Sequence, residues 1–341
     1  MLDDSKLIST SGKNILITGG NSGIGFHSVI NFLRDANYLY VPIKSIKRKE
    51  EFENDLREYF SKQYLDKYLN IIEKIDFGDL KNICKVRDEL TKKNIKLDIL
   101  ILNAGIQYTG ALYPKVSKQG IELTFAVNHL AHFYLANILV PLIKDSFESK
   151  IVVTSSDVHN PKSSGGNIGA KADLNDLLTL KEEIMGDYVN FNSDKSYKNS
   201  KLCNILFAKE LSKKLIKSNK KISVITWAPG LVIPEDDSGF FRYSSKFNKT
   251  GYKLFSLIAK NILGIYENVE NAGQILYQIA IDPAYNKAEY LHLSNQLISF
   301  KKHKLLITNV SEEANDSDLA SKLWELSEEL CSSFGFKILD V

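Results

Sequence analysis

Six short apolar runs, separated by segments with helical periodicity, set the strongest limit on what this chain folds into. The runs lie at positions 14–18, 38–43, 70–75, 97–102, 151–154 and 222–227. Several of them are apolar on successive positions, which is typical of parallel strands that are buried on both faces. Strands that alternate with helices in this way predict an α/β fold, a doubly wound parallel sheet between two helical layers.

Length, charge and cysteine content narrow the class of protein. The 341 residues fit one large domain, 1–341, and a formal charge of +3 gives no field that favours nucleic acid. The cysteines Cys84, Cys203 and Cys331 are scattered, which suits a reducing compartment better than a disulfide framework. The start of the chain lacks a basic segment followed by an apolar one, and no apolar run reaches about 18 residues. We therefore expect a cytoplasmic protein without a membrane-spanning helix.

A glycine-rich turn connects the first strand to a helical pattern. Gly19 permits a tight turn, Gly23 lets a ligand approach the backbone, and Gly25 lets helix and strand pack closely. Because a helix N-terminus attracts anions, the turn predicts a Rossmann-type dinucleotide site, with an ordinary glycine-rich turn as the alternative. The candidate cofactor residues in this turn are Gly19, Asn21, Ser22, Gly23, Ile24 and Gly25.

Polar residues also follow the third and fourth strands. Asp76 and Phe77 follow the third, and Asn103, Ala104 and Gly105 follow the fourth. Ligands of open α/β sheets bind outside the carboxyl ends of the strands, so these residues are expected to meet the glycine turn. Each of the two groups has a plain turn-forming role as its alternative.

The end of the second strand favours NADPH over NADH. An NAD site usually has an acidic residue there for the ribose 2′-hydroxyl, but this chain has Lys44, followed by Lys47 and Arg48. Lysine as a point charge and arginine as a fork neutralise a 2′-phosphate. The alternative is a solvated helix start with mixed charges.

A second cluster of candidates follows the fifth strand. Tyr197 and Lys201 are four residues apart in a helical segment, so they share one face. There an ammonium stabilises a phenolate, lowers the tyrosine pKa and makes a general acid; a surface pair is the alternative. Ser156 is placed to orient a carbonyl, and Asn128 to hold a water for proton relay.

In this order, the TGxxxGxG turn, Asn-Ala-Gly, the strand-end serine and YxxxK resemble the short-chain dehydrogenase/reductase family over 13–293. The resemblance implies a nicotinamide cofactor that carries the hydride while the protein supplies orientation and electrostatics. It implies that Tyr197 donates the proton and that Lys201 lowers its pKa and binds the nicotinamide ribose. It also assigns Ser156 to substrate and Asn128 to the relay. The segment flanking the nicotinamide matches Pro229 and Gly230.

Tyr197 follows Ser156 by 41 positions, more than is usual in that family, so an insertion at 157–194 borders the substrate site. The GGNIGAKADLNDL, SYKNSKLCN and GFFR segments, together with SKLWELSEEL in a C-terminal helical extension at 294–341, resemble the light-dependent protochlorophyllide oxidoreductases. That resemblance implies NADPH-dependent, light-driven reduction of a tetrapyrrole, a small apolar substrate, at its C17–C18 double bond.

Three positions depart from that subgroup, namely Gly105, Leu231 and Ser156. The NHLAHFYLANILVPLI and SKLCNILFAKEL segments also resemble retinol dehydrogenases. A dark NADP-dependent reductase of another apolar carbonyl or alkene is therefore the first alternative. A non-catalytic NADP-binding sensor on the same fold is the second.

Two further residues are substrate candidates, Cys203 and Tyr108. Cys203 lies about 120° around the helix from Tyr197, so a small core residue is its alternative role. His129 and His132 lack a third ligand at metal-binding spacing, and we expect helix packing and no metal.

A lid over the substrate is expected at 235–268, where apolar residues mix with lysines. Such a segment also suits peripheral contact with a photosynthetic membrane, and an ordinary core helix is its alternative. The sequence gives no oligomeric state.

Overall fold

An eight-stranded sheet forms the centre of the computed structural model, which describes residues 12–174, 177–186, 191–233, 259 and 264–338. The strands of this sheet are β1 (Asn14–Ile17), β2 (Tyr38–Ile43), β3 (Leu69–Glu73), β4 (Ile99–Leu102), β5 (Ser149–Thr154), β6 (Ile222–Ala228), β9 (Tyr290–Ser299) and β10 (Lys302–Ile307). Their spatial order is β10-β9-β6-β5-β4-β1-β2-β3, and β10 is antiparallel to β9 while the other pairs are parallel. The predicted doubly wound, Rossmann-type sheet is thereby confirmed.

Helices cover both faces of the sheet. They are α1 (Gly23–Arg34), α2 (Ile46–Arg57), α3 (Lys62–Tyr68), α4 (Leu80–Lys92), α5 (Leu123–Phe125), α6 (Ala131–Leu139), α7 (Leu177–Met185), α8 (Ser193–Lys217), α9 (Val269–Ile281) and α10 (Ser317–Ser333). A π-helical turn, Ala126–Leu130, joins α5 to α6. Two short strands, β7 (Leu231–Val232) and β8 (Tyr266–Glu267), form a separate parallel pair.

Strand β1 shows why the apolar runs lack alternation. Leu16 packs into the hydrophobic core on one face of the sheet, whereas Ile15 and Ile17 pack into the core on the other. All three side chains are fully buried. Because successive side chains of a strand point to opposite faces, a strand covered on both faces needs apolar residues at every position.

The insertion at 157–194 contains more structure than the loop that the sequence predicts. It begins with a 3₁₀ turn, Asp157–His159, and contains α7. Lys198 of α8 donates hydrogen bonds to the carbonyls of Ile168 and Ala170, and the Asn199 amide pairs with the backbone of Asp173. These bonds fix the insertion against α8.

The sequence predicts a helical C-terminal extension at 294–341, but only part of this extension is helical. Its first part completes the β9–β10 hairpin, and α10 follows. The half-exposed β9 and the edge strand β10 lack the continuous apolar pattern of the inner strands, so this hairpin is missed. Trp324 of α10 stacks on Phe207 of α8 at 6.0 Å and packs edge-on against Phe133 of α6 at 4.8 Å.

One helical stretch among the described residues, Leu123–Leu142, is apolar and long enough to cross a membrane, and 94% of its most apolar window is buried inside the protein. This burial is what a core helix shows. The predicted lid at 235–268 lies outside the described residues except for 259 and 264–268.

Trp324→Ala is expected to lower the free energy of unfolding by about 3–5 kcal/mol, because the side chain is 3% exposed and fills a packed aromatic cluster. Denaturant unfolding followed by circular dichroism measures the change. The control is Leu112→Ala, at a position that is 82% exposed, with an expected change within about 0.5 kcal/mol. Equal effects of the two substitutions would contradict the packing of α10 onto the sheet domain.

Candidate active site

The glycine turn between β1 and α1 is shaped so that side chains do not fit. Gly19 has a φ of +66°, and a Cβ there would lie 2.9 Å from the Cα of Ala104. A Cβ on Gly25 would lie 2.2 Å from the Gly19 carbonyl oxygen. Ser22 is the N-cap of α1, but its side chain does not cap the helix, so the first amides of α1 stay available to an anion.

Thr18, which the sequence analysis did not select, joins β1 to β4. Its hydroxyl accepts hydrogen bonds from the backbone N–H groups of Asn103 (2.8 Å) and Ala104 (2.9 Å). The same hydroxyl lies 3.0 Å from Nε2 of His132, whose Nδ1 donates to the Asn128 carbonyl at 3.1 Å. The only sequence signal was its place just before Gly19. Thr18 therefore sets the approach of the Asn103–Gly105 segment to the glycine turn.

A second threonine, Thr154 at the end of β5, joins three more elements. Its hydroxyl donates to Oδ1 of Asn103 (3.2 Å) and accepts from Nε1 of Trp227 (2.9 Å). Its carbonyl accepts from Nζ of Lys201 and from Nδ2 of Asn204, both at 3.2 Å. These hydrogen bonds connect the carboxyl ends of β4, β5 and β6 to helix α8.

The residues predicted to bind the adenosine end lie partly together. Nζ of Lys44 is 2.8 Å from Oδ2 of Asp76, so the predicted cation and the predicted acid form an ion pair. Arg48 and Lys47 instead pair with Glu51 of their own helix α2, at 3.1 and 3.9 Å. Phe77 is buried and lies 5.5 Å from the ring of His132. Of the three predicted cations, Lys44 is therefore the one that lies directly at the end of β2, beside Asp76.

Helix α8 presents Tyr197 and Lys201 beside Ser156. The Tyr197 hydroxyl is hydrogen-bonded to Ser156, and Nζ of Lys201 lies 5.7 Å from the tyrosine ring centroid. Burial lowers the pKa of the Lys201 ammonium to about 8. These three predicted residues therefore lie close together.

The pKa of Tyr197 differs from the sequence prediction. Burial raises it more than the Ser156 hydrogen bond lowers it, and the Asp194 carboxylate raises it further. The Lys201 ammonium, expected to lower it, donates instead to the Thr154 carbonyl. The predicted depression of the pKa is wrong for this structure, because desolvation of the phenolate is the largest effect.

Asn128 lies in the π-helical turn and is fully buried. Its amide nitrogen donates to the Ile106 carbonyl (2.9 Å) and to the Ser200 hydroxyl (3.0 Å), and its oxygen accepts from the Ile106 N–H (2.8 Å). Both amide hydrogens are used, so this side chain ties the loop after β4 to α8. The Asn128 side chain therefore has no free N–H to donate to a water for proton relay.

Pro229 and Gly230 follow β6 next to β9. Gly230 has a φ of +81°, and a Cβ there would lie 3.0 Å from the Asn295 carbonyl oxygen. The amide of Asn295 donates to the Pro229 carbonyl at 3.2 Å. The extension strand β9 thus holds this segment in place.

The two substrate candidates lie inside the protein. Cys203 is fully buried in the hydrophobic core, where burial raises the pKa of its thiol, so the core alternative fits it. Tyr108 is 5% exposed, and the Lys115 ammonium lies 4.6 Å from its ring centroid. His129 bonds to Ser327 of α10, and the described residues contain no group of three or more metal-ligand side chains.

The short chain dehydrogenase family model matches residues 13–169. Protochlorophyllide reductase of Pisum sativum is 28% identical over 327 residues, which are 93% of this chain and 77% of the relative. Short-chain dehydrogenase TIC 32 A of Brassica napus is 27% identical over 328 residues, which are 93% of this chain and 88% of the relative.

Solved structures share the fold. L-sorbose reductase from Gluconobacter frateurii, complexed with NADPH and L-sorbose, has a TM-score of 0.58 at 18% identity, covering 86% of this chain and 97% of that one. The angucycline C-6 ketoreductase LanV with bound NADP has a TM-score of 0.56 at 18% identity, covering 83% of this chain and 94% of that one.

The lowered pKa of Lys201 predicts a pH-dependent contribution to stability. The folded pKa, about 8, lies below the ordinary 10.5, so the unfolded chain binds more protons between these values. The cost of the buried charge is fully present below pH 8 and decreases as the pH rises. Relative to Lys201→Met, the wild type is expected to gain up to about 1.4 kcal/mol per pH unit between pH 8 and 10.

Denaturant titrations of both proteins at pH 7, 8, 9 and 10 measure this difference. The control is Lys47→Met, where the lysine is exposed. A wild-type-minus-variant difference that stays flat with pH at position 201 would show that Lys201 is not desolvated.

Proposed function

Because the chain belongs to the short-chain dehydrogenase/reductase family, we propose that it is an NADPH-dependent oxidoreductase whose substrate is protochlorophyllide. The reaction is reduction of the C17–C18 double bond, driven by light that the bound pigment absorbs. The main support for the substrate is that several relatives are named protochlorophyllide reductase, and that this similarity extends over 93% of the chain, well beyond the family match at 13–169. It therefore includes the insertion and the C-terminal extension. The proposal includes peripheral contact with a photosynthetic membrane, where an apolar pigment partitions.

The residues at the glycine turn fit a dinucleotide phosphate. The turn has no room for a Cβ at Gly19 or Gly25, and the N-cap Ser22 leaves the first α1 amides for a diphosphate. Lys44, at the end of β2, would hold the 2′-phosphate. When bound, the cofactor supplies the hydride.

The chain's own residues supply and orient a proton. The raised pKa keeps the Tyr197 hydroxyl protonated at neutral pH, so it is a proton donor at this site. Ser156 holds that hydroxyl by a hydrogen bond, and Thr154 holds Lys201 beneath it. The Tyr197 side chain is half-buried, so its hydroxyl is partly shielded from water.

A dark dehydrogenase is the second candidate function. The TIC 32 proteins of Brassica napus, named short-chain dehydrogenases, also match 93% of the chain, and they match over 88% of their own length. Gly105, Leu231 and Ser156 also differ from the residues usual in the pigment reductases. Under this alternative the same site reduces an apolar carbonyl without light.

A light-dependence assay separates the two functions. With NADPH and protochlorophyllide, the wild type is expected to bind the pigment in the dark, with a red-shifted absorbance, and to form chlorophyllide only after illumination. Tyr197→Phe should keep pigment binding and lose at least about 100-fold in product formation, since it removes the proton donor.

The control is Tyr59→Phe, at a tyrosine on the surface that is 47% exposed, with unchanged turnover. Dark reduction of retinal-like or steroid-like carbonyls, with no pigment binding, would replace the proposed substrate with the second candidate.

Lys44→Ala is expected to weaken NADPH binding about ten-fold and to leave NADH binding unchanged, because a charge-assisted bond to the 2′-phosphate is lost. Fluorescence titration with both cofactors measures the effect. Lys47→Ala is the matched control, since the Lys47 side chain is 86% exposed and lies 3.9 Å from Glu51. Equal weakening for both cofactors would mean that Lys44 acts only through Asp76.

A further inference from the structure

The imidazole of His159 connects the catalytic-serine segment to the C-terminal extension. Its Nδ1 lies 2.7 Å from the carbonyl oxygen of Ser156. Its Nε2 lies 3.2 Å from the backbone nitrogen of Ser311, which precedes α10. One buried side chain therefore connects Ser156 to Ser311, which lies 152 residues after His159 in the sequence.

These two partners fix the tautomer of the ring. A backbone carbonyl only accepts, so Nδ1 must carry the hydrogen; a backbone N–H only donates, so Nε2 must be bare. His159 is 2% exposed, and burial lowers its pKa, which keeps the ring neutral. A neutral Nδ1–H imidazole satisfies both bonds, and the opposite tautomer breaks both.

The surroundings hold this ring in one orientation. The ring of His292 on β9 lies edge-on to it, with centroids 5.5 Å apart. Two residues before His159, Asp157 accepts a hydrogen bond of 2.8 Å from Ser294, also on β9. The segment after Ser156 is thus bonded to the C-terminal extension at two points.

We propose that His159 is a positioning residue that fixes the backbone of Ser156, so that the Ser156 hydroxyl meets Tyr197, and that the C-terminal extension acts on the active site through this ring. The role of Ser156 in catalysis rests on the proposed function, whereas the bond that fixes its backbone does not. Without the imidazole, the one remaining bond to the Ser156 carbonyl from the described part of the chain is the local 3.2 Å bond from the His159 N–H. The Ser156 hydroxyl keeps its contacts with the Val158 N–H and Tyr197, but the backbone that carries it loses one of its two anchors.

The first test needs no turnover. Long-range ¹H–¹⁵N spectra of the full chain, labelled on histidine and assigned with His159→Asn, should show a protonated Nδ1 and a bare Nε2 for His159 at neutral pH. Hydrogen exchange of the 155–160 segment should be faster in His159→Leu than in the wild type. An Nε2–H tautomer, or unchanged exchange, overturns the proposal.

The second test uses the light-driven assay. His159→Leu should lower kcat about ten-fold or more with an unchanged Kd for NADPH, because misplacement of a catalytic group costs rate rather than cofactor binding. In His159→Asn the side-chain amide takes the place of Nδ1, and kcat should stay within about three-fold of the wild type. If His159→Leu does not fold, His159→Asn and the NMR spectra test the proposal.

The matched control is His129→Leu. His129 is also buried and also bonds to a serine of the extension, Ser327, at 2.9 Å, but it does not contact Ser156. This variant should lose stability and keep kcat. Equal losses of kcat in the two leucine variants would overturn the proposal. If neither the wild type nor any variant reduces the pigment, the proposed substrate is wrong. The tautomer and the hydrogen-exchange data still decide the role of His159 in that case.

Discussion

The hydrogen bonds that converge on Thr154 hold the active site together. At the end of β5, Thr154 accepts buried hydrogen bonds from Trp227 of β6 and Lys201 of α8, and it donates a partly buried one to Asn103 beyond β4. Each such bond adds about 1 kcal/mol net, but an unmade one in the interior costs about 1–3 kcal/mol, so the bonds are made together or lost together. The distance between the glycine turn and the tyrosine helix follows from this cluster, since Thr18 fixes the other side of Asn103.

The parallel sheet was predictable because its strands are buried on both faces. Leu16 and Ile17 pack into the cores on opposite faces of the sheet. Such strands need apolar residues at successive positions, and the sequence shows this continuous run directly. The glycine turn was equally visible, since steric exclusion at Gly19 and Gly25 leaves only one residue type. The grouping of Ser156, Tyr197 and Lys201 followed from helix periodicity together with the family resemblance.

Other features depend on contacts that no local pattern records. Thr18 and Thr154 look like ordinary strand-end threonines until the partners from distant segments are placed around them. The pKa of Tyr197 was predicted in the wrong direction, because spacing reveals a nearby lysine but not the depth of burial. The β9–β10 hairpin was missed because half-exposed strands carry a weak signal.

The packing of α10 on α6 and α8 has a consequence for the order of folding during synthesis. Phe133 and Phe207 leave the ribosome more than a hundred residues before Trp324, and until then the surface that Trp324 covers is exposed and apolar. Nascent intermediates with such surfaces bind chaperones or one another. Helix α8, which carries Tyr197 and Lys201, therefore gains its full packing only after α10 has been synthesised.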